Sequence, residues 1–236
     1  MQYFVGRRVK DSTSGRFDLD FIKIVNLTSA ACSAAFQLGA AETKVAMDTL
    51  TASEAIAYMR ALSGHVLRNH KQILSAAFNL NTPLVDDLAE ADGEGNYPVI
   101  TDNIEIGRRG IELAALGGFD KVTFDGAADT YPSECIVSPF PCYVNPVNVQ
   151  VLQLCFENAL ELIHLAHQAG LLTYMSAGFK FGGHIPQAVF AGTDGIGIGG
   201  AQILRYMDHS TGHQGPCESL SFLSGVVTDV RYRGIH

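Results

Sequence analysis

Gly117-Gly118-Phe119-Asp120-Lys121-Val122-Thr123-Phe124-Asp125-Gly126 reads as the end of a helix, a glycine turn and a short buried strand that stops at Gly126. A strand alternates its faces, so Val122 and Phe124 point one way and Lys121, Thr123 and Asp125 the other. Two charges and a hydroxyl on one face do not suit a simple core strand. They suit the inward row of a parallel barrel, which can carry chemistry. Leu38-Gly39-Ala40-Ala41-Glu42-Thr43-Lys44-Val45-Ala46-Met47-Asp48 repeats the plan, with Lys44 and Asp48 in the places of Lys121 and Asp125. Repeated βα units leave such echoes.

Working outward, strand and helix patterns alternate. Tyr3-Phe4-Val5 suits a short edge strand. Strands are expected at Phe21–Asn26, Thr43–Asp48, Ile73–Asn79, the Lys121 segment, Leu171–Ser176 and Gly195–Gly199. Helices are expected over Ser29–Leu38, from Thr51 to about Leu62, from Asp102 to Leu116, from Asn145-Pro146 to Ala169, and from His184 to Ala191. Thr51 with Glu54 is a capping-box pair, and Asn145 before Pro146 is a helix-start signal. Six alternations imply βαβ units and a parallel sheet. Chain length and short strands favour an α/β TIM-type (β/α) barrel, incomplete or non-standard, over a doubly wound sheet. The remaining strands must come from the termini or from Glu134–Val137.

The 236 residues fit one barrel domain, 1–236, with lid-like segments at 80–97, 126–144 and 208–218. Apolar residues make up 47% of the chain, enough for a substantial core, yet no apolar run reaches the roughly 18 residues of a membrane span. No signal region is evident, and a cytoplasmic location is expected. Five cysteines without a Cys-x-x-Cys pair fit reduced thiols. A net charge of −8 with scattered basic residues argues against nucleic acid. A small phosphorylated metabolite is the expected partner, and apolar helices are compatible with a homo-oligomer. No cofactor is required.

Barrel enzymes work at the C-terminal ends of their strands. Asn26, Asp48, Asn79, Asp125, Ser176 and Gly199 end expected strands there. Desolvation in a barrel interior favours the neutral, nucleophilic form of an amine, which can form a Schiff base with a carbonyl. Lys121 is therefore the leading candidate, Lys44 its twin, and Asp125 and Asp48 are candidate proton carriers. The plainer alternative is an ion pair of Lys121 with Asp125 or Asp48. Glycine-rich strand ends expose backbone N–H groups to phosphate. Gly178, Lys180, His184, Gly199 and Gly200 are the candidate phosphate-binding residues. Two other readings stay open. One is a metal-dependent hydrolase or isomerase using His209, His213 and strand-end aspartates. The other is a non-catalytic barrel subunit.

The Lys121 strand, together with Ala177-Gly178, His184-Ile185-Pro186, Gly192-Thr193-Asp194 and Gly199-Gly200-Ala201, resembles the (5-formylfuran-3-yl)methyl phosphate synthases. The resemblance implies a TIM barrel that condenses two triose phosphates through a lysine Schiff base. It covers roughly 21–126 by the order of units and 171–201 by motif. Lys121 matches a barrel lysine of that family's active site. The family's Schiff-base lysine aligns with Met47, and Lys44 lies three residues earlier. The family's fifth and sixth strands have no clear counterpart; Gly126–Val144 stands in their place.

Overall fold

The computed structural model describes residues 2–4, 17–126, 136, 154–176, 179, 184–197, 205–208 and 213–216. The chain opens with β1 (Gln2–Phe4), the edge strand expected near Tyr3, and α1 (Phe17–Gln37). Then follow β2 (Glu42–Ala46), α2 (Ala52–His65) and β3 (Ile73–Asn79). A small ladder of β4 (Leu84–Val85) and β5 (Val99–Ile100) precedes α3 (Asn103–Gly117) and β6 (Lys121–Asp125). After these come α4 (Phe156–Gln168), β7 (Leu172–Met175), α5 (His184–Ala191) and β8 (Gly195–Ile196). Last is a separate antiparallel hairpin, β9 (Arg205–Asp208) with β10 (His213–Pro216).

Six strands form one sheet in the order β1-β2-β3-β6-β7-β8, all neighbours parallel. That order is chain order. A doubly wound sheet reverses direction part-way and carries helices on both faces. Here each helix from α1 to α5 packs on the next, as a ring around a barrel does. The fold is an α/β barrel, incomplete in the described residues.

The strand faces are sorted by chemistry. Val45, Leu74, Ala76, Phe78, Val122, Phe124 and Met175 are buried against the helices. The packing is close: a methyl on Gly110 of α3 would lie 3.0 Å from the Phe78 ring. The opposite row carries Glu42, Lys44, Ser75, Asn79, Lys121, Thr123, Asp125, Tyr174 and Ser176, as alternation from Lys121 requires. Polar side chains on an inward row need partners there.

Local signals set most boundaries. Thr51 and Glu54 form the capping box at α2, with Thr51 N–H donating to Glu54 Oε2 at 2.9 Å. Asp102 Oδ1 accepts from the N–H groups of Ile104 and Glu105, each at 3.1 Å, and starts α3. Gly118, at φ +73°, closes it in the left-handed conformation that glycine adopts without cost.

Four expectations are corrected. Phe21–Asn26 is not a strand but the middle of α1. Its β-branched run suits a strand locally, but Val25, Ser29, Cys32 and Phe36 are buried at helical spacing while Ile22 and Leu27 face solvent. The count of six survives because β1 takes that place. Secondly, α4 begins at Phe156: Cys155 is extended, and Leu154 N–H bonds to the Ile136 carbonyl at 2.8 Å. Asn145 and Pro146 lie outside the described residues. Thirdly, the polar 208–218 segment contains hairpin strands. Fourthly, Cys155 is disulfide-bonded, against five reduced thiols, whereas Cys32 is free and buried.

The segment 80–97 leaves the C-terminal end of β3, as expected, but is not structureless. Asp87 accepts from Ser53 N–H at 2.8 Å and from the Thr51 hydroxyl at 2.7 Å, fastening it to the start of α2. Asp86 pairs with Arg109 of α3 at 2.8 Å. Of 126–144, only Gly126 and Ile136 are described. No helix among the described residues is long and apolar enough to cross a membrane.

Candidate functional site

The inward row builds a site from two lysines that share one level of the sheet. Strand register aligns Lys44 with Ser75, and Ser75 with Lys121. The echo between the two sequence segments is therefore real in space. The side chains then diverge. Lys44 Nζ reaches up to Asp125 Oδ2 at 2.7 Å, toward the C-terminal strand ends. Lys121 Nζ reaches down to Glu42 Oε2 at 2.6 Å, toward the N-terminal ends.

Both ion pairs join β2 to β6, and β3 lies between those strands. Each ammonium must cross the inner face of β3. Ala77, aligned with Ala46 and Thr123, offers only a methyl at the level Lys44 crosses. Beneath the crossing, the hydroxyls of Ser75 and Thr123 bond each other at 2.6 Å and satisfy themselves in a buried position. Lys121 and Glu42 keep only 8% and 10% of their side-chain surface, against 13% and 19% for Lys44 and Asp125. The upper pair is the more accessible one, and it sits at the end where barrel chemistry occurs.

Two further groups complete the interior. Ser176 follows β7, is buried, and accepts a hydrogen bond from Lys44 Nζ at 3.4 Å. The Tyr174 ring lies 5.4 Å from Lys121 Nζ, within cation–π range. Burial, with the nearby Glu42 and Asp125 charges, pushes the Tyr174 hydroxyl up to about 12. Glycines on and just after β8 make this arrangement fit. A Cβ on Gly195 would lie 2.6 Å from Tyr174 Cδ2, and one on Gly197 would lie 2.9 Å from Ser176 Cβ. These two glycines admit side chains from β7.

Among the sequence-based candidates, Lys44, Lys121 and Asp125 share the interior. Lys121 is in an ion pair, but with Glu42 rather than Asp125 or Asp48; Asp125 is taken by Lys44. Asp48 is half-buried in the turn after β2, beside Thr49 at φ +65°, a strained value for a β-branched residue. Met47, the position that resemblance aligns with a Schiff-base lysine, is buried in the core by alternation from Val45. Gly178, Lys180, Gly199 and Gly200 lie outside the described residues, and His184 is the first residue of α5. His209 is also outside them, and His213 lies on β10 opposite Asp208. Among the described residues, no cluster of His, Cys, Asp and Glu is arranged to hold a metal ion.

Glu42 and Tyr174 were missed, and Ser176 was noted only as a strand end. Glu42 was legible: it lies two residues before Lys44 and so shares its face. Asp194, part of the Gly192-Thr193-Asp194 motif, serves structure. Its Oδ2 accepts from Thr173 N–H at 2.8 Å, the Thr173 hydroxyl at 2.9 Å and His167 Nε2 at 2.9 Å, at the N-terminal ends of β7 and β8. Burial alone would raise its carboxyl, but these bonds outweigh it and hold the group below the ordinary value.

No family model matches the chain, and no curated protein matches it in sequence. Solved structures share its general shape weakly. An aldolase, QR15, is 11% identical at a TM-score of 0.45, covering 73% of this chain and 61% of that one. The type I 3-dehydroquinate dehydratase from Clostridium difficile is 12% identical at 0.41, covering 83% and 60%. A xylose isomerase domain protein from Planctomyces limnophilus is 11% identical at 0.44, covering 96% and 69%. This chain thus spans about three fifths of the first two. Likeness at this level says nothing of activity.

Proposed function

We propose that the protein is an enzyme of the lyase or synthase type that acts on a small phosphorylated carbonyl compound through a Schiff base on Lys44. The observation that carries this reading is the Lys44–Asp125 pair, 2.7 Å apart at the C-terminal side of a polar barrel interior. Lys121 supplies a second fixed charge from below, tied to Glu42. The resemblance to the (5-formylfuran-3-yl)methyl phosphate synthases supports the substrate class, and Gly178, Lys180, His184, Gly199 and Gly200 are proposed to hold the phosphate.

The chemistry balances with the groups present. Asp125 takes a proton from the Lys44 ammonium, leaving a neutral amine. The Nζ lone pair attacks the carbonyl carbon, the C=O π pair moves to oxygen, and that oxygen takes a proton from the attached Nζ. The resulting hydroxyl leaves as water on receiving the proton that Asp125 holds, and an iminium remains on Lys44. The iminium then accepts the electron pair of a neighbouring carbon–hydrogen bond, whose proton passes to the Asp125 carboxylate, or of a carbon–carbon bond, whose far carbon leaves as a carbonyl as its hydroxyl proton passes to Asp125.

The test is a mass measurement. Glyceraldehyde 3-phosphate and dihydroxyacetone phosphate, with cyanoborohydride, are expected to give a stoichiometric reduced adduct. Lys44→Met should lose the adduct and Lys121→Met should keep it. An adduct that persists in folded Lys44→Met protein would refute the assignment.

A further inference from the structure

Resting on the Schiff-base role of Lys44, we infer that Ser176 is a further catalytic residue, the hydrogen-bond donor to the substrate's carbonyl oxygen as Lys44 attacks. Three observations converge on it. Ser176 Oγ accepts from Lys44 Nζ at 3.4 Å, so its lone pair faces the nucleophile and its own O–H is free to point elsewhere. The residue is 8% exposed, in an interior where a preorganised donor acts with little competition from water. Its position is fixed from both sides: Ser176 N–H bonds to the Phe124 carbonyl of β6 at 2.9 Å, and Gly197 N–H, just after β8, bonds to the Met175 carbonyl at 2.7 Å. Gly197 leaves the space in which the Ser176 side chain stands, since a Cβ there would lie 2.9 Å from Ser176 Cβ and 3.1 Å from Tyr174 Cε1.

The geometry fits the reacting atoms. A carbonyl carbon in a near-attack position lies about 3–3.5 Å from the amine. Its oxygen then comes within hydrogen-bond reach of a hydroxyl that itself stands 3.4 Å from that amine. Asp125 also contacts Nζ, at 2.7 Å. Base and oxygen-binding donor therefore contact the amine from β6 and from the residue that follows β7. As the C–N bond forms, the π pair moves to the carbonyl oxygen, and the Ser176 O–H bonds to the developing oxyanion. The oxyanion takes one proton from the attached Nζ, and Asp125 then delivers the second, converting this oxygen to departing water. Ser176 keeps its own proton throughout.

The experiment follows the rate of adduct formation on Lys44 with glyceraldehyde 3-phosphate and cyanoborohydride. Ser176→Ala is expected to slow it by about 10²-fold, as loss of one oxyanion donor does, with the adduct still on Lys44. Ser176→Thr, which keeps the hydroxyl, should recover most of the rate. Gly197→Ala displaces Ser176 without removing it and should slow the reaction too, so the test survives if Ser176→Ala does not fold. A wild-type rate in folded Ser176→Ala would overturn the role of Ser176 while leaving Lys44 as nucleophile. Absence of any Lys44 adduct in the unaltered protein would overturn both.

Discussion

Lys44 on β2 and Asp125 on β6 meet at 2.7 Å although β3 runs between their strands. The mirror pair, Lys121 on β6 with Glu42 on β2, crosses the same strand in the opposite sense at 2.6 Å. Two ion pairs thus brace three strands from the inside. Breaking a largely buried pair leaves a charge without its partner, and that costs more than removing both members. The Lys44→Met and Asp125→Asn variants should each destabilise the fold, and the double variant should lose less than their sum. A coupling of about 1–3 kcal/mol is expected from denaturant unfolding. Strictly additive losses would show that the pair contributes nothing to the fold.

Ala77 should prove indispensable for its smallness. Lys44 crosses β3 where Ala77 is the inward residue. Leucine there would occupy the path of the ammonium. Ala77→Leu should cost about 1–3 kcal/mol from overpacking and abolish adduct formation on Lys44. Unfolding curves and the trapped mass together check this, and an adduct at the wild-type level would place the lysine elsewhere.

Two glycines on α3 predict opposite outcomes for the same substitution. A Cβ on Gly107 would meet the Leu162 Cδ1 methyl at 2.6 Å, the movable end of a side chain. A Cβ on Gly117 would meet Met59 Cβ at 2.6 Å, which can move only with its backbone. Gly107→Ala gains helix propensity of about 1 kcal/mol and should be near neutral. Gly117→Ala should lose about 1–3 kcal/mol. Comparing the two melting temperatures decides it.

Asp87 gives a pH-dependent prediction. Burial alone would raise its carboxyl, but hydrogen bonds from Ser53 and Thr51 outweigh it and lower the value below the ordinary 3.8. A depressed folded-state value stabilises the fold above the unfolded-state value, and the contribution fades as pH falls through the folded one. Asp87→Asn should therefore cost about 1 kcal/mol at neutral pH, the usual worth of a helix-capping carboxylate. The gap between wild type and variant should close below about pH 3.8. A gap constant across the acid range would show that the carboxylate charge is irrelevant.

Much of this architecture could be read from the chain because local and global preferences agree. The capping box at Thr51, the N-cap at Asp102, the Gly118 terminus and the strands Ile73–Asn79 and Lys121–Asp125 each combine a turn or cap signal with matching periodicity. Phe21–Asn26 misled because four of its six residues, Phe21, Ile22, Ile24 and Val25, are aromatic or β-branched and read as a strand. Only the longer spacing of Val25, Ser29, Cys32 and Phe36 reveals the helix. The inward row was legible for the same reason that strands alternate. Its pairing was not: which carboxylate meets which lysine depends on strand order and side-chain reach across β3, and neither is written in local sequence. Tyr174 escaped notice, and Gly195 and Gly197 were read as strand and turn without their packing role, because close approach between neighbouring strands leaves no mark beyond the glycines themselves.

The most direct test of the account is the location of the trapped adduct. The unaltered protein, reduced with borohydride in the presence of glyceraldehyde 3-phosphate and then digested, should yield one modified peptide, carrying the reduced adduct on Lys44. An adduct on Lys121 alone would contradict the account, because it would make the lower lysine, held by Glu42, the nucleophile.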